Sequence, residues 1–156
     1  MNVISSPAFV KQRQSLLLPI VVGGSIAGTF DLIAAFIAFG WNVPCAIAAG
    51  LFGPRAFHGG PAIWLLGVLL HFLIAYSAAA VYCLSSVKLP FLKDRFFVCG
   101  LFYGIAIFLV MNLVVLPLCA FHAAGPYQLR ALVQGLLVHM FLIGLPIAFN
   151  AWRLPE

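Results

Sequence analysis

The sequence predicts an all-α membrane protein with four transmembrane helices. Hydrophobic residues make up 65% of the 156-residue chain and charged residues only 7%, whereas soluble domains carry about 25% charged residues. The apolar residues are concentrated in four runs, and each run reaches the ~20 residues that a helix needs to cross a bilayer. These observations indicate a multi-pass protein in contact with lipid, and we expect it in the bacterial inner membrane.

The four spans are expected at residues 16–39, 62–84, 96–119 and 129–152, so that the chain forms one four-helix transmembrane domain. The first run is longer than the 7–15-residue core of a signal peptide, and no small-residue cleavage site follows it. We therefore expect the first run to be retained as a transmembrane helix.

The distribution of lysine and arginine predicts the orientation, because cytoplasmic loops carry the excess of these residues. One side of the predicted bundle carries Lys11, Arg13, Lys88, Lys93, Arg95 and Arg153, and the other carries Arg55 and Arg130. Both termini are therefore expected in the cytoplasm. The basic residues form no stripe with interleaved aromatics, so the net charge of +5 does not indicate a nucleic-acid partner.

The loop 40–61 on the outer side is expected to be structured. Its apolar stretch, residues 44–57, is too short to cross the membrane and has the length of a re-entrant or interfacial helix. Pro44 suits an early helical position. We expect this loop to pack over the outer end of the bundle, and a lid over a cavity is the alternative.

Small motifs recur in alternate spans and favour a repeat of two helical hairpins. The odd spans carry Gly-x-x-x-Gly and the even spans carry Gly-x-x-x-His, at Gly24/Gly28, Gly100/Gly104, Gly67/His71 and Gly135/His139. Gly-x-x-x-Gly lets two helix backbones approach closely in a membrane. Two in–out–in hairpins would be related by an axis along the membrane normal.

Four polar residues lie inside the predicted spans and are the candidates for a ligand or proton site. They are Asp31, His71, Asn112 and His139. An aspartate at such a depth costs about 2.5–3.5 kcal/mol to insert, so Asp31 should face the interior and have a partner. The simplest interpretation is a buried polar core that joins helices by hydrogen bonds, and a proton or small-ligand site is the alternative.

His71 and His139 also raise the hypothesis of a b-type haem or another metal, held by one imidazole from each of two helices. A bundle with the second and fourth spans across its diagonal would aim both histidines inward. Gly67 and Gly135, one turn before each histidine on the same helix face, would leave room for a flat ring. These histidines are weak metal candidates, because axial ligation by histidine alone is not specific.

Other site types have less support in the sequence. The motifs H-E-x-x-H, G-x-S-x-G and the phosphate loop are absent, and paired-carboxylate catalysis is difficult to build from three acidic residues. The chain has no C-x-x-C motif. Cys45 and Cys119 are expected on the outer side, where they could form a disulfide in an oxidising compartment, and His58 and His122 are a further, weaker metal pair.

Three stretches resemble a group of uncharacterised small bacterial four-span membrane proteins. They are LLHFLIAYSAAAVYC, YGIAIFLVMNLVVLPL and GLLVHMFLIGLPIAF. The same stretches are more distantly similar to YagU-type inner-membrane proteins. The resemblance covers about residues 64–150 and implies that His71 and His139 match the span histidines of the family, but it implies no defined activity.

We therefore expect a non-enzymatic inner-membrane protein whose buried polar core is structural or binds a small ligand. Two alternatives stay open: a haem- or quinone-binding electron-transfer component, and a proton-coupled transporter or channel subunit. Four spans are few for a monomeric transporter, so the last alternative also needs a homo-oligomer or a larger membrane complex.

Overall fold

The computed structural model describes residues 7–120 and 128–153, with side chains from residue 16 onward. Every described element is helical. Four helices are long and apolar enough to cross a membrane. For the described residues, the predictions of an all-α fold and of four helices able to cross a membrane are thereby confirmed.

The helices are labelled α1 to α6 in chain order. Their bounds are α1 Pro7–Phe39, α2 Val43–Phe52, α3 Gly60–Lys88, α4 Phe91–Asp94, α5 Phe96–Leu118 and α6 Leu129–Trp152. The candidate membrane-spanning helices are α3, α5, α6 and the Leu16–Phe39 part of α1. The side of the bundle at which α3 terminates and α5 begins is called the basic end. The opposite side is called the α2 end.

The central helix of the bundle is α6, because it contacts the other three long helices. The hairpin partners α1 and α3 pack along each other, as do α5 and α6. Most of the buried core, which includes Ala79, Cys83, Ile147 and Ala151, lies in the half near the basic end. The helices α3 and α6 meet in this half.

Glycines of α1 lie against bulky side chains of α3. A Cβ atom on Gly24 would lie 3.2 Å from the Cα of Tyr76, and one on Gly28 would lie 3.0 Å from the ring of Phe72. The predicted Gly-x-x-x-Gly packing surface is thus used within the first hairpin.

Glycines of α5 lie against the backbone of α6. A Cβ atom on Gly104 would lie 2.5 Å from the Cα of Met140, and one on Gly100 would lie 3.1 Å from the carbonyl oxygen of Gly144. In lipid, such close packing holds helices together because the hydrophobic effect provides no driving force between them.

The short helix α2 joins the two hairpins at the α2 end. The main chain of Pro44 lies directly against Gly67 of α3, with no space for a side chain there. At the other end of α2, the amide of Ala120 donates a 2.8 Å hydrogen bond to the carbonyl of Gly50. The predicted helix in this loop is present, Pro44 lies in its first turn, and a 3-10 segment, Gly53–His58, follows it.

Two π-helical segments widen the helices of the second hairpin. They are Met111–Val115 in α5 and His139–Gly144 in α6, and each ends two residues before a proline, Pro117 or Pro146. A proline lacks the amide hydrogen and its ring clashes with the carbonyl four residues earlier. Widening of the preceding turn relieves that clash.

The glycine packing predicts that Gly104→Ala destabilises the bundle. The added methyl would overlap the backbone of His139 and Met140, and overpacking of this kind costs about 1–3 kcal/mol. The free energy of unfolding can be measured by titration with denaturing detergent in mixed micelles. Gly50→Ala is the matched control, because its methyl would meet only Cys119 at an ordinary 3.6 Å; equal stability of the two variants would contradict the prediction.

Candidate functional site

The structure brings together two of the predicted polar residues, Asp31 of α1 and His71 of α3. The Nε2 atom of His71 lies 4.0 Å from the Oδ2 atom of Asp31, and it forms a 2.8 Å hydrogen bond with the carbonyl oxygen of Gly28. A carbonyl oxygen only accepts hydrogen bonds, so Nε2 is the donor and carries a hydrogen. The separation from Asp31 is too long for a hydrogen bond but lies within ion-pair distance when the imidazole carries a second proton.

The pair is largely but not completely enclosed. The side chain of His71 is 11% exposed and that of Asp31 is 24% exposed. At 1.5 Å per residue, Asp31 lies about 12 Å from the end of α1, and His71 about 16 Å from the start of α3. Both residues therefore lie within the apolar part of the bundle, in the half nearer the α2 end.

A second polar contact joins the same two helices closer to the basic end. The hydroxyl groups of Ser25 and Tyr76 lie 3.0 Å apart and form a hydrogen bond. This contact and the His71–Gly28 hydrogen bond link α1 to α3 at two levels. The sequence analysis missed Ser25 and Tyr76, although a serine six residues before Asp31 and a tyrosine five residues after His71 were available signals.

Aromatic rings cover the α1–α3 pair at the α2 end. Trp41 stacks between Phe36 and Trp64 with ring centroids 4.9 Å from each. The indole of Trp64 donates a 3.0 Å hydrogen bond to the carbonyl of Trp41. This stack lies between the Asp31–His71 pair and the α2 end of the bundle, and tryptophan is typical of the membrane–water interface.

The other two predicted residues bond to their own helices. The Nδ1 atom of His139 donates to the carbonyl of Gly135 at 2.8 Å, and the amide nitrogen of Asn112 donates to the carbonyl of Phe108 at 2.8 Å. The ring of Phe108 contacts the imidazole edge-on, with centroids 5.5 Å apart. His139 thus contacts α5 through the ring of Phe108, and Asn112 bonds to the backbone of the same residue.

His71 bonds to α1, whereas His139 bonds within α6 and contacts Phe108 of α5. The space that was expected beside Gly67 and Gly135 for a flat ring is also occupied. The main chain of Pro44 fills the space at Gly67, and the ring of Phe108 would lie 3.1 Å from a Cβ atom on Gly135. The expectation that these glycines leave space for a flat ring is therefore wrong in this structure.

The cysteines and the remaining histidines form no metal or disulfide site among the described residues. Cys45, Cys83, Cys99 and Cys119 are all free thiols. No group of three or more potential metal ligands occurs in residues 7–120 and 128–153. His58 is exposed on the 3-10 segment, whereas His122, its suggested partner, lies outside the described residues.

Comparison of the chain with protein-family models, curated proteins and solved structures gives no match. The resemblance to YagU-type proteins therefore stays a prediction. Functional inference depends on the geometry of the site alone.

The geometry predicts that the two histidines differ in their contribution to stability. His71→Ala removes the interhelical hydrogen bond to Gly28, so we expect a loss of about 1–2 kcal/mol. His139→Ala removes a bond within one helix and should cost less. Detergent-induced unfolding of both variants measures the difference, and a larger loss for His139→Ala would contradict this assignment of contacts.

Proposed function

We propose that this chain is a non-enzymatic integral protein of the bacterial inner membrane in which Asp31 and His71 bind a proton reversibly. The observation that carries the proposal is the 4.0 Å contact between the carboxylate and the imidazole in the apolar part of the bundle. The sequence favoured a structural or small-ligand role for the polar core, and the ligand proposed here is a proton. The excess of lysine and arginine at the basic end supports a cytoplasmic location for that end.

The chemistry of the pair follows from its hydrogen bonds. The Nε2–H group of His71 is held by the carbonyl of Gly28, so an added proton binds at Nδ1 or at a carboxylate oxygen. When the imidazole is protonated, the negative charge of Asp31 stabilises the imidazolium, because Coulomb interactions are strong where water is scarce. Among the described residues, neither group has another ion-pair partner.

We further infer that the two hairpins are copies of one unit and that only the first carries the proton site. The glycine contacts have the same register in both hairpins: Gly24 meets Tyr76 and Gly100 meets Gly144. The offset is 76 residues from α1 to α5 and 68 residues from α3 to α6. The residue 76 positions after Asp31 is Ile107. The second histidine, His139, therefore has no carboxylate in the corresponding place.

Infrared difference spectroscopy tests the proton site directly. Acidification of the reconstituted protein should produce a carboxylic-acid C=O band that disappears in Asp31→Asn. The band should persist in Asp94→Asn, the matched control, because Asp94 is exposed at the basic end. The band should also change in His71→Gln, because the side chain that faces Asp31 is altered, while His139→Gln should leave it unchanged.

Persistence of the same pH-dependent band in folded Asp31→Asn would overturn the proposal. A band that responds equally to His71→Gln and His139→Gln would overturn the pairing of Asp31 with His71.

A second candidate function, a b-type haem- or quinone-binding electron-transfer component, is favoured by the geometry of His139. Its Nδ1 atom donates to Gly135 within the helix, which leaves Nε2 as the atom that can bind iron. His71 uses Nε2 for Gly28, so the two histidines are not equivalent as ligands.

Absorbance spectra of the purified, reduced protein after haem-supplemented expression test this candidate. Haem ligation by His139 predicts a Soret band in the wild-type protein that is lost in His139→Ala and kept in His58→Ala. Wild-type protein without a Soret band would exclude haem.

A further inference from the structure

An open cleft separates α3 from α5 at the basic end of the bundle. It has a volume of about 480 Å³, and its surface is almost entirely apolar. Residues from α3, from the turn around α4 and from α5 line it, including Tyr82, Leu92, Phe102 and Tyr103. The cleft is distinct from the Asp31–His71 pair, which lies between α1 and α3 nearer the other end.

Two tyrosines form the inner wall of the cleft. The ring centroids of Tyr82 and Tyr103 are 4.9 Å apart in an edge-to-face arrangement. The Tyr82 hydroxyl donates to the carbonyl of Leu92 at 2.9 Å, and the Tyr103 hydroxyl donates to the carbonyl of Ala78 at 2.7 Å. Because both hydroxyls are used by the backbone, the rings contribute mainly apolar surface.

The turn that contributes Leu89, Phe91 and Leu92 to the lining of the cleft carries positive charge. The turn from α3 to α5 contains Lys88, Lys93 and Arg95 with a single acid, Asp94. Among the described residues, no carboxylate lies within ion-pair distance of these three cations. An apolar cleft below a group of free cations matches a molecule with a negative head and a long apolar tail.

The depth of the cleft agrees with the size of a lipid headgroup and the adjoining part of its acyl chain. Tyr103 lies seven residues into α5, which places it about 10 Å below the start of that helix at 1.5 Å per residue. The cations lie at the helix ends, where lipid headgroups meet water. Basic pockets between transmembrane helices are known to bind anionic headgroups.

We propose that this cleft binds an anionic phospholipid, with one acyl chain against Tyr82 and Tyr103 and the phosphate near Lys88, Lys93 and Arg95. A second copy of the chain fits this face less well. A two-fold contact here would bring the unpaired cations of one protomer close to those of its partner, and like charges oppose each other across such an interface.

Native mass spectrometry of the detergent-solubilised protein with added phosphatidylglycerol or phosphatidylcholine tests the proposal. The wild-type protein should retain one phosphatidylglycerol in strong preference to phosphatidylcholine. The double variant Lys88→Gln/Lys93→Gln should bind phosphatidylglycerol about 30-fold more weakly, which corresponds to about 1 kcal/mol for each cation. Raised salt should weaken wild-type binding because it screens the exposed charges.

The matched control is Arg55→Gln/Arg130→Gln, which removes two cations from the α2 end and should leave binding unchanged. A second variant, Ser85→Trp, fills the cleft and should weaken binding of either lipid without altering the charge. Equal binding of the two lipids by the wild-type protein, equal losses in the two charge variants, or a lipid-free dimer that is disrupted by Ser85→Trp would each overturn the proposal.

Discussion

The close approach of helix backbones at glycine is the constraint on which the rest of the structure depends. Because Gly28 has no side chain, the ring of Phe72 packs directly against it, and the main chain of His139 and Met140 packs against Gly104 in the same way. Apolar side chains gain little by leaving lipid for a protein interior, so van der Waals contact at short distance has to hold the helices together. The polar groups then occupy positions that this packing allows, and the His71–Gly28 hydrogen bond exists because α1 and α3 are close at Gly28.

The sequence predicted the four spans well, because hydrocarbon thickness fixes the length of a crossing helix and lipid excludes charge. It also predicted that Asp31 has a partner, because an isolated carboxylate is costly to insert. It did not identify that partner. Gly-x-x-x-His is identical in α3 and α6, and only the neighbouring helix determines whether the imidazole bonds across to another helix, as His71 does, or within its own helix, as His139 does.

The site also depends on parts of the chain with no distinctive sequence signal. The main chain of Pro44 occupies the space next to Gly67, and the stack formed by Phe36, Trp41 and Trp64 covers α1 and α3 at the α2 end. A glycine in a helix indicates that something can come close, but not whether it is a ligand or another part of the chain. That ambiguity is why Gly67 and Gly135 suggested room for a flat ring where the structure has a backbone and a phenylalanine.

The π segment in α6 has a consequence for how the faces of this helix are compared. A π segment acts as a one-residue insertion in a regular helix, and each residue of an α-helix turns the chain by about 100°. The residues after Gly144 are therefore rotated relative to those before His139, so one helical wheel drawn over Leu129–Trp152 would assign half of them to the wrong face. The helix α3 has no such segment, and equal spacing in the two sequences does not imply equal direction in space.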